Sequence, residues 1–200
     1  MKKDYFEHKS KSWDMNSRRV KNAKSIANLI KKEITLHKDM LVMDLGAGTG
    51  LLSFFISEDV DSIIALDNSL SMLNEFKKKS NEFLSRTDIV YGDILEYNPT
   101  FQYDLIISSM TIHHIKETFT LFEKLYSITK DGGYIAIADL DLEDGTFHSE
   151  DTGVHHFGFD REVLEKIAKD VGFKDIKIQT ASTIEKPHKN FSLFLLTAKK

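Results

Sequence analysis

The chain has 200 residues, 41% of them hydrophobic and 29% charged, a composition expected of one soluble globular domain with a core large enough to fold alone and little room for a second. A formal charge of −4 gives no overall basic field toward nucleic acid or anionic membrane, and the absence of cysteine excludes disulfides, thiolate zinc sites and cysteine nucleophiles. No apolar run suits a signal peptide or a membrane span, so the cytoplasm is the expected location, with no nucleic-acid partner and no membrane span.

The first residues are basic: Lys2, Lys3, Lys9, Lys11, Arg18, Arg19, Lys21, Lys24, Lys31 and Lys32 stand against Asp4, Glu7 and Asp14. Such a run reads first as a solvated helix face behind a polar tail, and second as an anion-attracting lid. Over residues 15–34, Val20, Ala23, Ile26, Ala27, Ile30 and Ile34 recur at threes and fours, the period of an amphipathic helix. "MLVMDL" (40–45) follows as a first strand, apolar in the manner of a parallel strand covered on both faces. Gly46, Gly48 and Gly50 then alternate in a chain with only 10 glycines, and Leu51, Leu52, Phe54, Phe55 and Ile56 open a second helix.

"SIIALD" (62–67) is the second strand, followed by a helix from Ser69 that turns Met72, Leu73 and Phe76 inward. The third strand, "DIVYGD" (88–93), leads into a loop around Pro99; the fourth, "YDLIISS" (103–109), precedes a helix over about 116–129. A turn at "KDGG" (130–133) opens the fifth strand, "YIAIADL" (134–140). After an acidic loop over 141–158 comes a helix capped by Asp160 and stopped at Gly172, then two strands over about 173–179 and 191–198. This alternation, closed by two strands with no helix between them, predicts an α/β, Rossmann-like doubly wound seven-stranded sheet, mostly parallel with one antiparallel edge strand, helices on both faces. The expected organisation is a single domain over 1–200, with an arm and helix over 1–36 as a lid and the core over 37–200.

Ligands of open α/β sheets sit at the carboxyl ends of the strands, which here carry the glycine loop, Asp67, Asp93, Ser108 to His114 and Asp139. Alternating glycines suggest a ligand against the main chain, where a Cβ would obstruct it. The spacing is G-x-G-x-G, not the G-x-G-x-x-G of dinucleotide sites, and no lysine follows Gly50 as a phosphate-binding Walker loop requires. Asp44, just before the glycines, would repel a pyrophosphate and suits a cationic ligand. Asp67 can accept both hydroxyls of a ribose, and Asp93 can accept an adenine amino group.

With these residues in place, the chain from Met40 onward resembles the class I S-adenosylmethionine-dependent methyltransferases. "VMDLGAGTG" resembles their first motif, which implies that Asp44 helps hold the methionine end while Gly46, Ala47, Gly48 and Gly50 admit the ligand. "LDNS" implies Asp67 on the ribose and Asn68 near the adenine; "GDI" implies Asp93 on the adenine amino group and Ile94 beside the ring. "FQYDLIISSMTIHHI" and "LYSITKDGGYIAIADL" resemble the blocks of strands four and five, with Ser109 among the cofactor contacts. "SSMTIHHI" and the compact size are similar to the ubiquinone/menaquinone C-methyltransferase-like branch. The implied cofactor is S-adenosyl-L-methionine, its product S-adenosyl-L-homocysteine, and the implied reaction an in-line methyl transfer.

His113 and His114 follow strand four and are the candidate bases, unless they only support the pocket. The acidic loop offers Asp139, Asp141, Glu143, Asp144, His148, His155 and His156. No metal is expected among them, because metal-dependent catechol-type methyltransferases also take an acid after strand four, where this chain has Ser108 and Ser109. Trp13, His148, His155, His156 and Phe157 are the candidates for lining an acceptor pocket, with Tyr5, Phe6 and Trp13 closing over it. "SSMT" lacks the proline and aromatic of amino-DNA methyltransferases, and cytosine C5 enzymes need a cysteine, so a small-molecule acceptor leads. A protein- or RNA-directed methyltransferase using the basic arm, and a non-catalytic S-adenosylmethionine-binding protein, are the alternatives; a dehydrogenase is the weakest reading. Nothing in the sequence defines an oligomeric state.

Overall fold

Seven strands form one sheet in the order β3-β2-β1-β4-β5-β7-β6. The computed structural model describes residues 4–148 and 152–200; Lys2 and Lys3 of the basic run and residues 149–151 of the acidic loop lie outside them. The strands are β1 (Leu41–Leu45), β2 (Ser62–Asp67), β3 (Arg86–Tyr91), β4 (Tyr103–Ser109), β5 (Thr129–Leu140), β6 (Lys174–Lys186) and β7 (Lys189–Lys199). The helices are α1 (Ser17–Glu33), α2 (Leu51–Ile56), α3 (Leu70–Lys79), α4 (Thr118–Ile128) and α5 (Arg161–Val171), with a 3-10 turn over Ser10–Met15 ahead of them.

The strands are apolar runs because both faces are covered. Val42, Leu105, Ile107 and Ala136 point to one face, against Ile26 and Ile30 of α1 and Leu52 and Ile56 of α2. Met43, Ile106, Ile135 and Ile137 point to the other, against Leu121, Phe122 and Leu125 of α4 and Leu164 of α5. Each such aliphatic side chain, removed from water, contributes about 1.5–3 kcal/mol. Between β3 and β4 no helix forms, and Ile94 and Tyr97 cover the sheet there instead.

The hairpin that closes the sheet is present as expected, and the reversed strand within it, β7, lies one place in from the edge. Burial explains the order: "FSLFLLTA" in β7 is almost wholly buried, whereas β6 is half exposed and carries the lysines that suit an edge. Three boundaries differ from the sequence reading. β3 ends at Tyr91, so Asp93 belongs to the turn beyond it. "KDGG" does not precede β5 but bulges within it, since Tyr103 pairs with Thr129 and Leu105 with Tyr134. The final strands run further, meeting in a tight turn at Pro187 and His188.

Candidate functional site

The parallel strands deliver their carboxyl ends to one edge, and there the loops and the N-terminal arm enclose a cavity of about 640 Å³. Asp44, Gly46, Ala47, Gly48, Asp67, Asn68, Asp93, Ile94 and Ser109 all line it, as do Trp13, His113, His114, His148 and His155.

The three glycines of the first loop all have positive φ, and a side chain at each would meet something different. At Gly46 a Cβ would stand 2.1 Å from Thr111 Oγ1, and at Gly50 it would stand 2.7 Å from the Phe76 ring. At Gly48 its nearest neighbour would be the Gly46 carbonyl at 4.0 Å, so only there does the main chain present open space. Packing also demands glycine at 46 and 50; Gly46 lines the cavity, whereas Gly50, expected to admit the ligand, stands outside the residues that line it. Asp67 holds the loop, accepting from Gly48 N–H at 2.7 Å and from Ser69 N–H at 2.7 Å.

Asp44 is 1% exposed and accepts from the Ser53 hydroxyl at 2.6 Å. Burial pushes its carboxyl up to about 7, against the Ser53 bond and with repulsion from Asp67. Burial likewise raises Asp67 to about 6, with the Ser69 and Gly48 amides opposing it and Asp4 adding repulsion. Asp44, buried with little to offset its charge, calls for a positively charged ligand, whereas Asp67 is half-buried and held by amides.

The arm over the cavity is tied down by its own acids. Asp4 accepts from Ser69 Oγ at 2.8 Å and Ser71 N–H at 3.1 Å, at the start of α3. Asp14 accepts from Thr49 Oγ1 at 2.5 Å and pairs with Lys79. These anchors bring Phe6 and Trp13 to the cavity, edge to face at 5.8 Å, with Phe6 against His114 at 5.6 Å. Tyr5 does not line the cavity.

Beyond β4, Met110 takes φ 56° and turns the chain into the 3-10 turn Ile112–His114. His113 is 1% exposed, and its Nδ1 lies 2.7 Å from Asp139 Oδ1. Asp139 is fully buried and also accepts from the amides of Leu140 and His113. An ionised carboxylate only accepts, so His113 Nδ1 carries the proton and Nε2 keeps its lone pair. That Nε2 is buried without a hydrogen-bond partner among the described residues, as is His148 Nε2. Burial and the neighbouring His113 push both His114 and His148 down to about 4, so both rings are neutral at neutral pH.

Two acceptor-pocket candidates are corrected. His156 does not line the cavity; its Nε2 lies 3.0 and 3.1 Å from the Ile115 and Lys116 carbonyls, to which it can donate. Phe157 is 54% exposed and does not line the cavity, and its ring packs over Gly145. Sequence reasoning missed Asp139 as the partner of His113; the signal was present, since β4 and β5 pair in register with Ser109 opposite Ala138. It also missed Lys186 and Phe147, which line the cavity from parts of the chain with no motif.

A family model described as a methyltransferase domain matches residues 36–175. Malonyl-[acyl-carrier protein] O-methyltransferase of Priestia megaterium is 30% identical over 129 residues, which are 62% of this chain and 46% of that protein. The chain spans about half the length of the curated relatives it matches. Among solved structures, phosphoethanolamine N-methyltransferase 2 of Haemonchus contortus in complex with S-adenosyl-L-methionine superposes with a TM-score of 0.70 at 20% identity, over 87% of this chain and 52% of that one. Magnesium protoporphyrin IX methyltransferase of Synechocystis, with the same compound bound, gives 0.69 at 18% identity over 94% and 82%. At such identities the structural likeness speaks for the fold.

Proposed function

Since the chain belongs to the methyltransferase domain family, we propose that it transfers the methyl group of S-adenosylmethionine to a small-molecule acceptor and releases S-adenosylhomocysteine. The observation that carries this reading is one continuous cavity joining the buried Asp44, the amide-held Asp67, the open face at Gly48, and His113 Nε2, which has no hydrogen-bond partner among the described residues. The residues fit the cofactor: the acids attract a cation, and Gly48 leaves its main chain approachable.

The cofactor supplies an electrophilic methyl group on a positively charged sulfur. Asp44 would take the amino group of the methionine end, Asp67 the ribose hydroxyls through lone pairs its amide contacts leave over, and Asp93 and Ile94 the adenine. The arm, with Phe6 and Trp13, would exclude water. Held by these residues, S-adenosylmethionine would supply the methyl carbon to which an acceptor atom bonds and would leave as neutral S-adenosylhomocysteine, keeping the electron pair on sulfur. A proton on that acceptor atom would pass to His113 Nε2, with Asp139 holding the resulting imidazolium. His114, neutral and pushed down to about 4, is too weak a base and serves the wall. A phenol of the quinone-precursor type is a second acceptor reading, favoured by "SSMTIHHI" and by the proton such a group would offer His113.

The test is transfer of labelled methyl from S-adenosylmethionine into a cell extract separated by size, with Asp67→Ala as blank. Label in the low-mass fraction is expected. Label confined to the high-mass fraction would replace the small molecule by a protein or RNA, and no label despite tight S-adenosylhomocysteine binding would leave a binding protein.

A further inference from the structure

Charge is distributed unevenly along the cavity. β1, β2 and the turn after β3 bring Asp44, Asp67 and Asp93 to one end. β6 and the first turn of α1 bring Lys186 and Arg18 to the cavity as well. The strand order separates the two groups, for β2 and β3 stand on one side of β1 while β6 lies beyond β4, β5 and β7.

The cations are held together. Arg18 Nη1 donates to the Glu185 carbonyl at 2.9 Å, beside Lys186. Lys186 donates to the Phe147 carbonyl, its ammonium 4.2 Å from the Phe147 ring centre. Lys9, from the arm, lines the same cavity, and both Lys9 and Lys186 bear on His148 and disfavour its charged form. Burial disfavours the charge on Lys186; Glu143, one oxygen of which accepts from the Thr146 and Phe147 amides, favours it, and Arg18 disfavours it to a smaller extent.

Neither Arg18 nor Lys186 forms an ion pair with a carboxylate of a described residue, whereas surface lysines do: Lys31 with Glu58 and Asp59, Lys189 with Asp144. Helix stability does not ask for Arg18, since a cation in a first turn opposes the helix dipole by about 0.3–1 kcal/mol and no acid occupies that turn of α1. The adjacent Arg19 is accounted for by stacking 3.7 Å over Trp13 near Asp14. Cations gathered at some cost, on a cavity wall, imply an anion that belongs there.

On the reading of this cavity as a methyltransferase site, we infer that the acceptor is an oxyanion, a carboxylate- or phosphate-bearing small molecule, held by Arg18 and Lys186 with its reacting atom toward His113. The arginine fork suits two oxygens of one anionic group, and the Lys186 ammonium adds charge. His148, neutral, can donate a hydrogen bond to the same group. The opposite charges of the two ends then sort the ligands: the cation settles by the acids and the anion by the bases.

The test titrates the protein with sodium succinate, with inorganic pyrophosphate and with spermidine, with and without saturating S-adenosylhomocysteine, by calorimetry. Succinate or pyrophosphate should bind more tightly than spermidine, weaken with salt, and weaken about tenfold in Arg18→Gln and again in Lys186→Met. Which of the two anions binds tighter separates carboxylate from phosphate. With S-adenosylhomocysteine saturating the acid end, equal affinities for the anions and spermidine would overturn the inference, as would anion binding unchanged in both variants under either condition. S-adenosylhomocysteine affinity is read separately: its absence in the wild type would fell the cofactor reading, while the titrations without it still decide whether these cations form an oxyanion site.

Discussion

Asp44 is buried with one hydroxyl donor, and its carboxyl titrates near 7. Its folded value lies above the unfolded 3.8, so its contribution to stability is complete below about 3.8 and is lost as pH rises through about 7. Ligand affinity runs the other way, because a cation binds the ionised form: S-adenosylmethionine affinity should be greatest above pH 7 and fall as pH drops through about 7 and then about 6, where Asp67 protonates. Asp44→Asn should accordingly stabilise the ligand-free protein by about 2–4 kcal/mol at pH 8, less toward pH 4, while weakening cofactor binding. Melting curves at the two pH values, with and without S-adenosylhomocysteine, check both signs. His113 allows a second test. His113→Gln can keep the bond to Asp139 but has no basic nitrogen, so transfer should slow by about 10²-fold or more with cofactor affinity unchanged. A wild-type rate in that variant would make the ring a wall residue.

The glycine loop between β1 and α2 shows at the level of the element how one motif divides its tasks. A methyl group at Gly46 meets Thr111, and one at Gly48 meets nothing but the cavity. Gly46→Ala should therefore lower stability by about 1–3 kcal/mol through overpacking. Gly48→Ala should cost only about 1–2 kcal/mol of left-handed backbone strain yet weaken cofactor binding more than Gly46→Ala does. Denaturant midpoints set beside S-adenosylhomocysteine affinities separate the two effects; equal losses of affinity would mean the ligand does not pass Gly48. The arm illustrates the same economy, since Asp4 completes the cap that Ser69 begins on α3, while Asp14 reaches Thr49 in the glycine loop. The contacts that hold the arm over the cavity are thus also contacts to α3 and to the glycine loop.

Across the whole molecule, the alternating strands and helices were legible because their cause is local: runs apolar on both faces become central parallel strands, and threes and fours become covering helices. That the residues proposed for the cofactor would be neighbours was legible for a related reason, as they sit in short segments just past successive strands, which the topology must bring together. What the sequence by itself determined is therefore the sheet, its edge of carboxyl termini and the acids and glycines placed there. Tertiary structure alone decided which histidine meets Asp139, at which glycine a side chain would find open space, and that Arg18 meets Glu185 across a separation of 167 residues. These depend on side-chain direction and on loops closing over long stretches of chain, where no periodicity in the sequence records which residue will face which.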